Sequence, residues 1–169
     1  MLSLEFLPPF YGGCGTEGRE DPGRENLLTG FDIMKRKRSV LFVCVHNSAR
    51  SFIAEYIGRS KYPDISFKSA GIHPLAPDPM AVAVLKENGI DPEGHRPRTI
   101  GSLSGENFDL VVFLCRDAMK LAYSLPESKE VMLREFRVPS GGASRVSGFR
   151  ELREDLKVFI DEVAEIIER

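Results

Sequence analysis

The sequence predicts an α/β fold: a single three-layer, doubly wound domain with a four-stranded parallel sheet. From residue 39 onward, short apolar runs alternate with amphipathic stretches, which is the order of successive β-α-β units. The apolar runs are continuous rather than alternating, which is typical of strands covered on both faces. The functional site of such a fold is expected at the carboxyl ends of the strands.

The first predicted strand is Val40–Val45, which is wholly apolar and rich in β-branched residues. A helix is predicted over Ser51–Ser60, where apolar residues recur at helical spacing: Phe52, Ile53, Tyr56 and Ile57. Ile65–Lys68 is predicted as the second strand. The order strand, tight turn, helix therefore opens the domain.

The next helix has clear signals at both ends. Asp78 is a predicted N-cap, Pro79 occupies the first helical position, and Gly89 ends the helix. Asp109–Cys115 is the third predicted strand because its core is continuously apolar.

A short helix over Asp117–Leu125 and a fourth strand over Glu130–Leu133 follow. The last helix is predicted after Ser147, because its apolar residues are spaced by threes and fours and form one stripe: Phe149, Leu152, Leu156, Phe159, Val163 and Ile166.

Residues 1–33 are predicted to be a disordered N-terminal extension of the domain at 34–169. They are rich in glycine and proline, and Gly15–Asn26 is polar without periodicity, so they bury too little apolar surface to offset their ordering entropy. Met34, followed by four basic residues and a strand, looks like a chain start and suggests an upstream translation artefact. The alternative is that the apolar cluster at residues 2–11 docks on the domain.

Composition excludes several classes of function. The chain has 169 residues, a formal net charge of −2 and 42% apolar residues, which argues against a basic nucleic-acid-binding surface. No apolar run approaches the ~20 residues of a membrane span. The three cysteines form no CxxC or Cys/His cluster, so we expect neither a disulfide framework nor a metal site. A cytoplasmic protein fits this cysteine usage.

The segment Cys44–Ser51 carries the clearest chemical signal. A cysteine ends a buried strand, five residues follow, and Arg50 and Ser51 open a helix. Backbone N–H groups at such a turn converge on one point, and the helix N-terminus favours negative charge there. Arg50 can hold two oxygens of an oxyanion, and Ser51 can donate to a Cys44 thiolate. The predicted oxyanion-binding residues are Val45, His46, Asn47, Ser48, Ala49, Arg50 and Ser51.

These residues closely resemble the low-molecular-weight protein tyrosine phosphatase family and its offshoot, the thioredoxin-coupled arsenate reductases. The resemblance spans about residues 39–168 and includes CVHNSARS, SAGIHPLAPDPMAVAVLKENGID, HRPRTI and FDLVVFLC. His46, Ala49 and Phe52 depart from the phosphatase pattern CxGNxCRSP and bring the loop closer to the reductase branch. The resemblance assigns the nucleophile to Cys44 and oxyanion binding to Arg50 and the loop amides.

Cys115 is the first point that separates the two branches. The segment FDLVVFLCRDA resembles the reductase segment whose second cysteine attacks the arsenic-bound nucleophile, releases arsenite and forms a disulfide. The third cysteine of that branch is Ala122 here. The resemblance then implies thioredoxin or a small thiol as reductant, and no other cofactor. A plain apolar strand residue is the alternative interpretation of Cys115.

A missing general acid is the second departure, and it sets this chain apart from both branches. Both branches normally carry an Asp-Pro before the last helix, whereas this chain has Val138, Pro139 and Ser140. A missing general acid typically costs ~10²–10⁴-fold in rate. Asp117 and Glu135 are the possible surrogates on other loops.

Three hypotheses therefore remain open. The protein is an arsenate reductase that uses Cys44 and Cys115, a phosphomonoesterase, with phosphotyrosine as a candidate substrate, that forms a cysteinyl-phosphate at Cys44, or a non-catalytic module that binds phosphate or a phosphoprotein. The expected ligands are arsenate or a phosphate ester, with no nucleic acid and no membrane.

Overall fold

A computed structural model describes residues 5–7, 36–142 and 144–169. Its five-stranded sheet has the order β1-β5-β4-β2-β3. The strands are β1 (Glu5–Leu7), β2 (Ser39–Cys44), β3 (Ser66–Gly71), β4 (Asn107–Phe113) and β5 (Glu127–Leu133). The α-helices are α1 (Arg50–Lys61), α2 (Pro79–Lys86), α3 (Arg116–Leu121) and α4 (Arg145–Glu168), and a 3₁₀-helix covers Ile100–Leu103.

The predicted four-stranded parallel sheet is confirmed. β2 pairs in parallel with β3 and with β4, and β4 pairs in parallel with β5. From Val40 to Cys44, β2 is buried, which is why its sequence is apolar throughout. The carboxyl ends of the four strands consequently share one edge of the sheet.

Strand β1 is an addition to the predicted sheet. It pairs antiparallel with β5, with Glu5 opposite Leu133 and Leu7 opposite Val131. These residues belong to the segment 1–33 for which the sequence predicts disorder. The rest of that segment, including the proposed chain start at Met34, lies outside the described residues.

Several boundaries differ from those predicted. β3 continues past Lys68 to Gly71 because Ser69, Ala70 and Gly71 pair with the end of β2. Helix α3 ends at Leu121 rather than Leu125; Ala118 is its one buried residue, and Pro126 disfavours helical backbone at Leu125. The last helix begins at Arg145, three residues before the predicted start at Gly148.

The caps of the first two helices contrast. The Asp78 side chain accepts the N–H of Met80 at 2.9 Å, and Pro79 occupies the first turn of α2, as predicted. Helix α1 starts at Ala49 with no side-chain cap and no acidic residue in its first turn. Its N-terminus therefore remains open to a ligand. Among the described residues, no helix is long and apolar enough to cross a membrane.

Replacement of Gly58 by alanine is expected to destabilise the fold. Gly58 lies in α1 against β3, where an added Cβ would come within 2.7 Å of Cγ of Phe67. That ring is buried and stacked on Phe42 at 5.8 Å, so it has little room to yield. Overpacking typically costs ~1–3 kcal/mol, more than the helix propensity that alanine gains, roughly 1 kcal/mol. Urea unfolding measures the difference.

Gly105→Ala is the control, because a Cβ there meets no atom within 4 Å. If Gly58→Ala proved as stable as the unaltered chain while Gly105→Ala was neutral, the close packing of α1 on Phe67 would be refuted.

Candidate active site

The predicted nucleophile lies at the base of the loop from β2 to α1. Cys44 is 2% exposed, and its Sγ lies 2.9 Å from Oγ of Ser51. The N–H of Asn47 donates to the same sulfur at 3.2 Å. A thiolate at Cys44 can thus accept one hydrogen bond from a hydroxyl and one from the backbone.

The carbonyl groups of this loop face away from the sulfur. The carbonyls of Cys44, Val45, His46 and Ser48 accept the N–H groups of Ile72, His73, Leu75 and Asp78, at 3.3, 2.8, 2.9 and 2.8 Å respectively. The described chain has no cis peptide bond. Because the C=O and N–H of a trans peptide point in opposite directions, the N–H groups of Val45, His46, Asn47 and Ala49 point inward.

The start of α1 adds to this ring of donors. The N–H groups of Arg50, Ser51 and Phe52 belong to the uncapped first turn and have no intrahelical acceptor. They lie at the positive end of the helix. The loop and the helix together thus make an anion-binding cradle in front of Cys44.

Arg50 presents an unused donor at this cradle. Its Nη1 donates to the Phe136 carbonyl at 3.2 Å. Its Nε is buried and has no hydrogen-bond partner among the described residues, an arrangement that is costly unless a ligand accepts that bond. The bond to Phe136 holds one nitrogen of the guanidinium and leaves the Nε edge for an oxyanion.

Asn47 holds the loop from beneath. It is buried and has a φ of 52°, a conformation that asparagine adopts more readily than most residues. Its Nδ2 donates to Oγ of Ser51 at 3.0 Å and to Oγ of Ser69 at 2.8 Å, while its Oδ1 accepts the N–H of Arg98 at 3.2 Å. Each polar atom of the side chain is used, so the strained backbone is well supported.

Glu55 anchors this network, and sequence reasoning missed it. The residue is 1% exposed; it accepts the Ser69 hydroxyl at 2.5 Å and Nη2 of Arg98 at 3.0 Å. Nη1 of Arg59 lies 3.3 Å from the same carboxylate. A buried carboxylate needs such partners, because an unpaired one would be strongly destabilising. The available signal was a glutamate among the apolar residues of α1.

The side chains of two histidines near the loop take no part in the cradle, which backbone groups line. The side chains of His46 and His73 are exposed, and neither makes a hydrogen bond within the described part of the chain. His46 thus contributes its backbone to the loop, through a carbonyl that accepts from Leu75. Gly71 also matters for the loop, because a Cβ there would lie 2.9 Å from the Asn47 nitrogen.

Cys115 is 7% exposed and lies two residues past the end of the neighbouring strand β4, at the N-cap of α3, rather than in the strand as predicted. Val43 is paired with Phe113, and the Leu114 N–H donates to the Val43 carbonyl at 2.8 Å, which places Leu114 opposite Cys44. If strand geometry continued to Cys115, with strands about 4.8 Å apart and a rise of about 3.3 Å per residue, the Cα atoms of Cys44 and Cys115 would be about 6 Å apart. This is within the ~4.4–6.8 Å that a disulfide spans. Both cysteines are free thiols.

The loop between β5 and α4 supplies no acid where one is expected. Residues 136–142 contain no carboxylate; Val138 is 41% exposed, and Pro139 packs beside Gly148. Of the two possible surrogates, Glu135 is engaged by Arg116, with its Oε2 3.6 Å from Nη2. Asp117 is exposed in the first turn of α3. Glu135 lies in this loop rather than on another one, but its carboxylate is paired with Arg116. Residues 136–142, where the acid is expected, hold no carboxylic acid.

Comparisons with known proteins agree with this geometry. The sequence model of the low molecular weight phosphotyrosine protein phosphatase family matches residues 39–156. An arsenate reductase of Staphylococcus aureus (strain Newman) is 33% identical over 126 residues, which cover 74% of this chain and 95% of the relative.

Solved structures of both kinds share the fold. A low-molecular-weight protein tyrosine phosphatase from T. tengcongensis superposes with a TM-score of 0.64 at 29% identity, covering 76% of this chain and 98% of the other. An arsenate reductase from Archaeoglobus fulgidus gives a TM-score of 0.57 at 28% identity, covering 72% and 98%.

His95 makes the stability of the site region dependent on pH. Its ring lies edge-on to Phe52 and Tyr56, at 4.8 and 5.5 Å between centroids, and its Nε2 is buried without a partner in the described chain. Burial lowers the pKa of His95 below its ordinary value of 6.5, although Glu55 opposes the shift. The folded protein therefore prefers the neutral imidazole.

We expect the free energy of unfolding to fall as the pH is lowered from 7 to about 5.5. Over this range His95 of the unfolded chain takes up a proton, with a pKa of about 6.5, while His95 of the folded chain stays neutral to lower pH. His95→Phe keeps a packed ring and removes this dependence, so its stability should fall less over the same range. Urea unfolding across the pH series measures the effect. His73→Phe is the exposed control, and an equal flattening in that variant would contradict the assignment to His95.

Proposed function

We propose that this chain, which belongs to the low molecular weight phosphotyrosine protein phosphatase family, reduces arsenate to arsenite through Cys44 and Cys115. The observation that supports this activity is the pairing of β2 with β4, which brings two buried free thiols to neighbouring positions at one edge of the sheet. The likeness to a S. aureus arsenate reductase adds support.

The first step takes place in the cradle. Arsenate accepts hydrogen bonds from the inward N–H groups and from Arg50. These donors stabilise its negative charge and help to hold the arsenic in line with the Cys44 sulfur. The Cys44 sulfur attacks arsenic and replaces one oxygen, which leaves as water with the proton of the thiol. A bond between Sγ and pentavalent arsenic results.

The second step uses Cys115. Its sulfur attacks Sγ of Cys44, a disulfide bond forms and the sulfur–arsenic bond breaks. The electron pair of that bond remains on arsenic, which is reduced from As(V) to As(III), and arsenite leaves with the thiol proton. Two thiols are oxidised for each arsenate. Thioredoxin or a small thiol then reduces the disulfide, which fits a reducing compartment such as the cytoplasm; no other cofactor takes part.

Hydrolysis of a phosphate ester is the second candidate, supported by the completeness of the cradle and by the likeness to the T. tengcongensis phosphatase. Cys44 would attack phosphorus and expel an alcohol or phenol. The expelled oxygen needs a proton, and residues 136–142 offer no carboxylic acid. A cysteine that resolves the adduct is present while an acid is absent, which favours reduction. A module that only binds phosphate or a phosphoprotein would show neither activity.

Arsenate reduction and aryl phosphate hydrolysis, assayed side by side, separate these functions. We expect thiol-dependent arsenate turnover that disappears in Cys44→Ser and falls at least ~10²-fold in Cys115→Ser, since that variant lacks the second nucleophile. Mass spectrometry of the unaltered chain after one turnover should detect a Cys44–Cys115 disulfide.

Cys14→Ser is the control for a cysteine outside the proposed site and should keep full turnover. Full arsenate turnover in Cys115→Ser would refute the two-thiol mechanism. Tight phosphate binding without turnover of either substrate would instead indicate a binding module.

A carboxylate introduced into the β5–α4 loop should raise ester hydrolysis. Aligning on Pro139 puts the acid at Val138, and aligning from α4 puts it at Ser140, so Val138→Asp and Ser140→Asp test both positions. The variant with the correct geometry should hydrolyse phenyl phosphate ~10²–10⁴-fold faster. It should gain much less with a substrate whose leaving group needs no proton. Equal gains with both substrates, or no gain in either variant, would show that the missing acid does not limit hydrolysis.

A further inference from the structure

The chain on both sides of Cys115 is held by the segment that follows β5. The Arg134 N–H donates to the Phe113 carbonyl at 2.9 Å, and the Phe136 N–H donates to the Leu114 carbonyl at 3.1 Å. Phe136 also accepts the bond from Arg50. One short segment, residues 134–136, thus contacts both the oxyanion clamp and the residue before Cys115.

Glu135, in the middle of this segment, contacts Arg116, the residue directly after Cys115. Its Oε1 accepts the N–H of Arg116 at 3.2 Å, and its Oε2 lies 3.6 Å from Nη2 of the same arginine. Cys115 is the N-cap of α3 but provides no side-chain cap. Glu135 therefore caps α3 from a separate segment, at the residue directly after Cys115.

Helix α3 is short. It has six residues, of which Ala118 is buried and Met119 packs against the core. The bond from the Met119 N–H to the Cys115 carbonyl is long, at 3.4 Å. A helix this short gains little from its own hydrogen bonds, so the cap at its first residue adds to what this packing contributes.

Disulfide formation requires this start of the helix to move. Cys115 has an extended backbone, with φ −160° and ψ 147°, and it continues the strand direction of β4. Side chains alternate along a strand, so an extended chain continued from β4 would put Leu114 on the face of Cys44 and Cys115 on the other face. The Cys115 sulfur can reach Cys44 after rotation of the backbone around Cys115 and Arg116, which breaks the contacts with Glu135.

We propose that Glu135 is a positioning residue that restrains Cys115, and that its release sets the rate at which Cys115 attacks Cys44. This inference rests on the proposed function, because it concerns the second thiol of that mechanism. Glu135 touches neither the oxyanion nor a sulfur. Loss of the restraint should accelerate the second step and leave the reactivity of Cys44 unchanged.

Oxidised glutathione tests the restraint without arsenate. Cys44 first attacks glutathione disulfide, forms a mixed disulfide and releases one glutathione thiol. Cys115 then attacks Sγ of Cys44, forms the protein disulfide and releases the second glutathione thiol. Acid quenching and mass spectrometry follow both steps in the reduced full-length chain carrying Cys14→Ser.

The expected result is a graded acceleration of the second step. Glu135→Gln keeps an acceptor for the Arg116 N–H and loses the ion pair, so its second step should be a few-fold faster. Glu135→Ala loses both contacts and should be about tenfold faster, as expected for the loss of a hydrogen bond to a charged group. The first step should change by less than about twofold, as for other surface substitutions.

Glu130→Gln is the matched control, because the Glu130 side chain is exposed on β5 and makes no hydrogen bond or ion pair with the described residues; both steps of this variant should keep the rates of the parent chain. An unchanged or slower second step in Glu135→Ala overturns the proposal, as does failure of the parent chain to form the protein disulfide. If the graded acceleration appears but the protein does not reduce arsenate, the restraint stands and the proposed function fails.

Discussion

The active-site geometry depends on the hydrogen bonds that draw the carbonyls of the Cys44 loop outward. Ile72, His73, Leu75 and Asp78 supply the donors, and these residues follow β3 along the edge of β2. A peptide group whose carbonyl is held on one side must present its N–H on the other. The cradle for an anion is therefore formed before any ligand arrives, and binding need not order the loop, which lowers the free-energy cost of capturing an oxyanion.

Inward N–H groups concentrate positive potential at the cradle, and the loop that carries them is held in place by a network of buried side chains. Asn47 links the loop to Ser69, and Ser69 links it to the buried carboxylate of Glu55. Arg98 and Arg59 compensate the buried charge. Removing one member of such a network leaves a buried polar group without a partner, so the parts depend on one another more than their separate contacts suggest. Gly71 belongs to the same unit, because its missing Cβ lets the loop approach β3.

The sequence predicts well what local chemistry decides. Continuous apolar runs identify the parallel strands, Asp78 and Pro79 identify the start of α2, and the spacing from Cys44 to Arg50 identifies the loop. The contributions of Glu55 and Arg98 were not predicted, because they arise from contacts between residues 43 positions apart. Strand β1 was missed for a similar reason: its three residues carry no period of their own, and their conformation depends on pairing with β5.

Arsenate and phosphate esters present similar tetrahedral oxyanions, so the donors of the cradle suit both and do not choose between them. The choice falls to the groups around the cradle, since an ester needs a proton for the oxygen expelled as the adduct forms, and reduction needs a second sulfur that resolves the adduct. Here Val138 and Ser140 stand where the acid is expected, the Glu135 carboxylate of the same loop is paired with Arg116, and Cys115 lies two residues beyond the end of β4, the strand next to β2. Residues 134–136 contact Arg50 and flank Cys115, so one segment connects oxyanion binding with the position of the second thiol. The acid missing at residues 136–142 and the second thiol near the cradle favour an adduct that is resolved by sulfur rather than by water, whereas the contacts of Glu135 determine how fast that thiol can act.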